Sequence, residues 1–202
     1  MVPPISNNVG PGKANGGADR TRLSRRIVLC FLALSLLSVT LSTASQAQSN
    51  EYQVKAAFLY NFARFVDWPG DAFGGSNAPL IIGVVGDDPF GGALDQAING
   101  KNINGHPLVV RRLKWGQDLR SCQILFISSS ERKHLPKIIQ SLRGSNVLTV
   151  GDMGQFNQQG GIINFILEAS KVKFEINSRA ADQAHLRISS KLLALAKNRQ
   201  GS

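Results

Sequence analysis

Two stretches of the chain, PLIIGVVG at residues 79–86 and CQILFIS at 122–128, are apolar almost without interruption. A strand with one wet face alternates polar and apolar residues. A run without that alternation must be covered on both sides, as strands are inside a parallel sheet flanked by helices. Residues 108–113 and 147–150 read as further strands, and residues 90–99 and 130–142 read as the intervening helices. The second of these carries Leu135, Ile138, Ile139 and Leu142 on one face. Strand, turn, helix and strand in repetition predict right-handed crossovers. The pattern then changes. Residues 162–167 and 171–176 are separated only by Glu168-Ala169-Ser170, a link so short that it demands an antiparallel hairpin. Val172, Phe174 and Ile176 alternate there with Lys171, Lys173 and Glu175, which predicts one buried and one wet face. A closing helix is expected over 186–197 with Leu192, Leu195 and Ala196 inward. The fold class is therefore α/β: a single compact domain with a mostly parallel sheet flanked by helices and an antiparallel hairpin near the C-terminal edge. No repeat and no second domain are visible.

The first 47 residues read differently. Residues 1–19 are rich in Pro, Gly, Asn and Ser and lack apolar periodicity, so they are expected to be disordered. Arg20, Arg22, Arg25 and Arg26 then precede the apolar run IVLCFLALSLLSVTL, and Ser45-Gln46-Ala47 follows it. A basic segment, a short apolar core and small residues at a cleavage position make a secretory signal peptide, cut after Ala47. The run is interrupted by Ser35, Ser38 and Thr40 and is shorter than the roughly 20 apolar residues of a spanning helix. The expected organisation is a disordered N-terminus plus cleaved signal over 1–47, then the α/β domain over 48–202, soluble in the periplasm.

Removing Lys13, the four arginines and Asp19 leaves 18 basic and 12 acidic side chains, a net charge of +6. The basic residues are scattered, with no stripe interleaved with aromatics, which argues against nucleic acid as a partner. Cys30 leaves with the signal, so Cys122 is alone. It can close no disulfide within the chain and no thiolate metal site. Its place at the head of an apolar run suits a buried thiol, or a free thiol open to an intermolecular bridge.

Chemistry is sparse. The chain has no phosphate loop, no GxGxxG, no GxSxG, no HExxH and no CxxC, and His106, His134 and His185 are isolated. No catalytic residue, metal site or cofactor site is expected. Two features remain. The first is Gly86-Asp87-Asp88-Pro89-Phe90-Gly91 at the end of the first long strand, with Gly151-Asp152 at the end of another. In open α/β sheets ligands bind outside the carboxyl ends of strands at a topological switch point. Asp87, Asp88, Phe90 and Asp152 are therefore candidate ligand-binding residues, although Gly-Asp is also ordinary turn chemistry. The second is a helix over residues 51–66 that ends at Trp68-Pro69-Gly70. It carries Phe58, Tyr60, Phe62, Phe65 and Trp68, aromatics that suit either a core or a partner interface. Its two apolar stripes, Val54-Phe58-Phe62-Phe65 and Tyr52-Ala56-Leu59-Ala63, imply burial on both sides or a partner.

KAAFLYNFARFVDWP at 55–69, IGVVGDDPFGGALD at 82–95, CQILFISSSE at 122–131, VLTVGD at 147–152, GGIINFILEASKVKFEIN at 160–177 and ISSKLLALA at 188–196 resemble, in this order, the YfiR family of small periplasmic proteins. The resemblance implies a compact α/β domain, often a homodimer. It also implies a regulatory role. The family's type member represses an inner-membrane diguanylate cyclase through that enzyme's periplasmic domain, and an outer-membrane lipoprotein draws it off, raising cyclic di-GMP and favouring biofilm. That member holds disulfides which the lone Cys122 cannot reproduce within this chain. The function expected is thus a periplasmic binding protein that is not an enzyme. The alternative is a small-ligand sensor using the strand-end loops, as related domains fused to sensor proteins suggest.

Overall fold

The computed structural model describes residues 48–197 apart from Ser76. The signal-peptide and leader readings fall outside the described residues. Helix α1 spans residues 48–65 and leads into the short strand β1 (Val66–Asp67). There follow β2 (Leu80–Val85), α2 (Ala93–Ile98), β3 (Asn102–Ile103), β4 (His106–Leu113), β5 (Ile124–Ile127), α3 (Leu135–Ser141) and β6 (Leu148–Gly151). The chain closes with β7 (Ile163–Glu168), β8 (Lys171–Ile176), α4 (Ser178–Gln183), β9 (Arg187–Ile188) and α5 (Ser190–Leu195). Seven strands form one sheet in the order β3-β4-β2-β5-β6-β7-β8. Strands β4, β2, β5, β6 and β7 are mutually parallel, while β8 returns antiparallel to β7 and β3 antiparallel to β4. The mixed α/β class read from the sequence is the class observed.

The two continuous apolar runs lie at the centre of the sheet. All six residues of β2 and all four of β5 are buried. Alternate side chains supply two separate cores. On one face Leu80, Ile82, Val84, Ile124 and Phe126 pack with Ala56, Leu59 and Phe62 of α1 and with Leu94 and Ile98 of α2. On the other, Ile81, Val85, Leu125 and Ile127 pack with Leu135 and Ile138 of α3, and with Met153 and Phe156 of the β6–β7 loop. Gly83 in mid-strand makes this second core possible, since a Cβ there would lie 2.6 Å from Cys122 Sγ. Gln123 pins the strand starts: its Oε1 accepts from Ile81 N at 2.8 Å and its Nε2 donates to the Ala72 carbonyl at 2.7 Å. At the far end, β9 pairs antiparallel with β1, so the C-terminal segment closes over the end of α1.

Several boundaries differ from the sequence expectation, each for a local reason. The helix expected over 130–142 is a 3-10 turn at Ser129–Glu131 followed by α3, because Pro136 lacks an N–H and is tolerated only in a first helical turn. The closing helix expected over 186–197 begins only at Ser190. Arg187 and Ile188 are drawn into pairing with β1, and Ser189 caps the helix by accepting from Leu192 N. Leu192 is inward as expected, but Leu195 is 70% exposed. Helix α4 was not anticipated; Asn177 starts it, its Oδ1 accepting from Ala180 N at 3.1 Å. Glu175, expected on a wet face, is buried because the 153–161 loop folds over that side of β7 and β8.

Candidate functional site

The parallel strands change direction of travel between β2 and β5: the chain goes from β2 outward to β4, then returns past β2 to β5, β6 and β7. The switch point therefore lies between the carboxyl ends of β2 and β5. Gly86 leaves β2 at a φ of +90°, a conformation that favours glycine, and a Cβ there would sit 2.5 Å from Ser130 Oγ. Ser130 Oγ also accepts from Asp87 N at 2.9 Å. The 3-10 turn after β5 thus fills the crevice with its own side chains.

Asp88 is held in place by two bonds. Its Oδ1 accepts from Phe90 N at 2.8 Å, and its Oδ2 accepts from Arg112 Nε at 2.9 Å. Arg112 also forks onto both oxygens of Asp95 and donates to the Gly91 carbonyl. The guanidinium holds the Asp95 carboxyl below its ordinary range, chiefly through the hydrogen bonds it donates. Arg112 is the hub that ties β4 to the start of α2. Asp87 is exposed and joins the loop through its backbone.

Asp152, after β6, faces a different group. Its Oδ2 accepts from Tyr52 Oη at 2.9 Å and from Lys55 Nζ at 2.7 Å. Lys55 is only 4% exposed and also pairs with Glu51 at 2.5 Å, one helical turn back. Burial, and then the Asp152 charge, drive the Tyr52 hydroxyl pKa upward, so it stays a donor. Tyr52 meets Phe90 edge to face at 5.4 Å, and Phe90 meets Phe126 in the same way at 4.8 Å. The two acidic loops do not face each other across an open cleft. β5 stands between β2 and β6, and the first turns of α1 bridge the loops with Tyr52 and Lys55.

The aromatic residues of α1 divide. Phe62 is fully buried, stacked on Phe165 at 5.7 Å and set edge-on to Phe174 at 5.2 Å. Phe58 is half-buried against the same pair. Tyr60 and Phe65 are half-buried, with the Arg64 guanidinium over both rings and Lys101 over Tyr60. Trp68 donates through Nε1 to the Gln123 carbonyl at 3.3 Å. Val54, 45% exposed, marks the outer side of the helix. The buried side is thus one broad face, with Tyr52, Ala56, Leu59 and Ala63 at its centre, Phe62 buried beside them and Phe58, Tyr60 and Phe65 at its margin, while Val54 falls outside it.

Among the described residues no group of His, Cys, Asp and Glu side chains is gathered that could hold a metal ion. None of their helices is long and apolar enough to cross a membrane. The YfiR/HmsC-like family model matches residues 52–197, nearly all of the described chain. The chain belongs to the YfiR/HmsC-like family. A search of curated proteins returns no match. A crystal structure of a conserved domain protein from Vibrio cholerae O1 biovar El Tor str. N16961 is similar, with TM-score 0.44 and 14% identity over 58% of this chain. The match spans about half of that protein, 54% of its length, and no argument is built on it. The family segments quoted from the sequence map onto α1, β2, β5, β6, the β7–β8 hairpin and α5, all within the matched range.

Sequence reasoning named Asp88, Phe90 and Asp152 but missed their partners Arg112, Tyr52 and Lys55. The signal available was a lysine on an otherwise apolar helix face, Lys55 between Tyr52, Ala56 and Leu59. A charge in that setting is buried only with a counter-charge.

Proposed function

We propose that this YfiR/HmsC-like protein is a periplasmic regulator that represses an inner-membrane diguanylate cyclase by binding its periplasmic domain, with an outer-membrane lipoprotein as a competing partner. Family membership across residues 52–197 carries this reading. The chemistry agrees with it. The acidic strand ends, where an α/β enzyme would place reactive groups, are occupied by internal ties to Arg112, Lys55 and Tyr52. The proposed route to the periplasm is export on the N-terminal segment with cleavage after Ala47. The proposed docking surface is the margin of α1, where Phe58, Tyr60, Phe65 and Trp68 are half-buried beside exposed Val54 and Arg64. A small-ligand sensor working through Asp87, Asp88, Phe90 and Asp152 is less favoured, because a ligand there would have to displace these ion pairs and the buried Phe90 ring.

A crosslinked pull-down from envelope extract tests the docking surface. Wild type is expected to retain an inner-membrane cyclase, and Val54→Arg/Tyr60→Ala is expected to lose it while the domain still folds. Phe62→Ala is unsuitable as a surface probe, since emptying a buried Phe site costs about 3–5 kcal/mol and would destabilise the domain whatever its effect on a partner. Equal capture by wild type and the double variant would remove α1 as the contact. Capture of no membrane protein by wild type would remove the regulatory reading.

A further inference from the structure

The net charge of +6 over residues 48–202 is not spread evenly. Residues 111–143 hold eight basic side chains against two acidic ones, and the remaining positions balance, ten against ten. Cations that look scattered along the sequence are thus concentrated in one segment, which runs from the end of β4 through β5 to the end of α3. The fold brings most of them to one side of the sheet. Arg111 alternates with Arg112 and shares the side of Leu113, which packs into the core beneath α3. Arg120 donates to the carbonyls of Ser141 and Arg143 and so sits across the C-terminal end of α3. Helix α3 buries Leu135 and Ile138 against the sheet, and leaves Lys137 and, just before the helix, Lys133 exposed.

No carboxylate neutralises this side. Among the described residues Arg112 alone of the eight cations is ion-paired, and its partners Asp88 and Asp95 lie on the opposite, α2 side. Arg111 donates to the Ser121 hydroxyl and Arg120 to backbone carbonyls, all uncharged. Both acids are locally engaged: Asp118 accepts from the Arg120 amide, and Glu131 Oε2 lies 2.7 Å from His134 Nδ1. Elsewhere Lys55, Lys173 and Lys197 each meet a carboxylate. One aromatic stands among the cations. Trp115, 38% exposed in the loop after β4, stacks on the His134 ring at 5.9 Å and 11°. That stack holds an indole at the surface beside Lys114 and the start of α3.

The placement of the charges selects the partner. Lys133 precedes one end of α3 and Arg120 lies at the other, and a helix of seven residues is about 10 Å long. A single small anion could meet only a few of these groups, whereas an extended layer of negative charge meets them together. An amphipathic indole among lysines and arginines is the set of side chains that suits the headgroup level of a bilayer. We propose that the α3 face docks on an anionic phospholipid surface, with Lys133, Lys137 and Arg120 against the phosphates and Trp115 among the headgroups. Helix α1 packs on the opposite side of the sheet. The α3 face therefore leaves the α1 margin open and stands independently of the repressor reading.

The test is co-sedimentation of the protein, purified as the cell processes it, with vesicles of phosphatidylglycerol and phosphatidylethanolamine in equal parts. Vesicles of phosphatidylcholine give the uncharged baseline. Wild type is expected to favour the anionic vesicles, to leave them at about 0.5 M salt, and to show a blue-shifted tryptophan emission that Trp115→Phe removes. Lys133→Gln/Lys137→Gln should lower the partition coefficient roughly fivefold per cation, more than tenfold for the pair. Arg187→Gln/Lys191→Gln removes the same charge from exposed positions on the α1 side and should lower it far less. Circular dichroism is expected to show both double variants folded. Equal losses from the two would mean that net charge alone drives binding and would overturn the site. Equal partition of wild type into anionic and uncharged vesicles would overturn the proposal. Binding to soluble polyglutamate without binding to the anionic vesicles would overturn the bilayer assignment in favour of an acidic protein.

Discussion

Lys55 shows how a single side chain fixes the geometry of the strand ends. It is buried among aromatics, with Tyr52 at 4.3 Å from its ammonium, and two carboxylates answer its charge. Removing one partner from a buried ion pair leaves a charge uncompensated and costs about 3–5 kcal/mol. Asp152→Asn is accordingly expected to destabilise by about 3 kcal/mol, at the lower end because Glu51 remains. Pairing it with Lys55→Met should recover most of that loss, a coupling that urea denaturation of the double-mutant cycle would read. Cys122 makes a second prediction at this scale. Burial raises its thiol from an ordinary value of 9.0 to about 11. A raised pKa in the folded state means that the unfolded chain holds fewer protons between these values. This contribution to stability is full below pH 9 and falls as the pH rises toward 11. Cys122→Ser should flatten that part of the pH–stability curve, and wild type should resist alkylation at neutral pH until unfolded. The sequence read Cys122 as a buried thiol, and it is buried, but β5 begins only at Ile124 and Cys122 stands in the loop before it. Nor could the sequence show that Gly83, 39 positions away, makes the room for it.

At the scale of elements, the strongest signals were read and the short ones were missed. The continuous runs and the β7–β8 alternation gave strands within a residue or two of their observed ends. Asn104-Gly105 passed unread, although Asn-Gly between extended residues is the commonest hairpin turn; both residues have positive φ and turn β3 into β4. Pro136 and Ser189 likewise marked true helix starts that apolar periodicity overran. The β7–β8 turn departs from rule. Ala169 and Ser170 both stand at positive φ, 48° and 60°, with neither Asn nor Gly to ease the conformation. Left-handed backbone costs an ordinary L-residue roughly 1–2 kcal/mol. Ala169→Asn/Ser170→Gly should therefore stabilise the domain by about 1 kcal/mol, read as a higher urea midpoint at unchanged slope. The turn's flank is held by Glu168, whose carboxylate accepts from Lys173 and Lys197. Those bonds depress its pKa to about 2. The tie is complete above the ordinary range near 4.5 and lost as the pH falls toward 2.

For the whole molecule, the order of elements in the sequence implied a parallel sheet with a terminal hairpin, but not the order of strands. That order places β5 between the two acidic loops and sets the first turns of α1 over the strand ends. The aromatic helix was recognised, yet which ring faces inward depends on its tilt across β7 and β8, and tilt leaves no trace in spacing. What emerges is a family domain in which Asp88 and Asp152 at the strand ends are committed to internal ties and an outward feature is the margin of a helix. The proposed role is restraint of a membrane diguanylate cyclase. The most direct measurement is intracellular cyclic di-GMP in a strain deleted for this protein, compared with the same strain expressing it again. Deletion is expected to raise the level, and complementation to return it to the starting value. An unchanged level in both strains would contradict it.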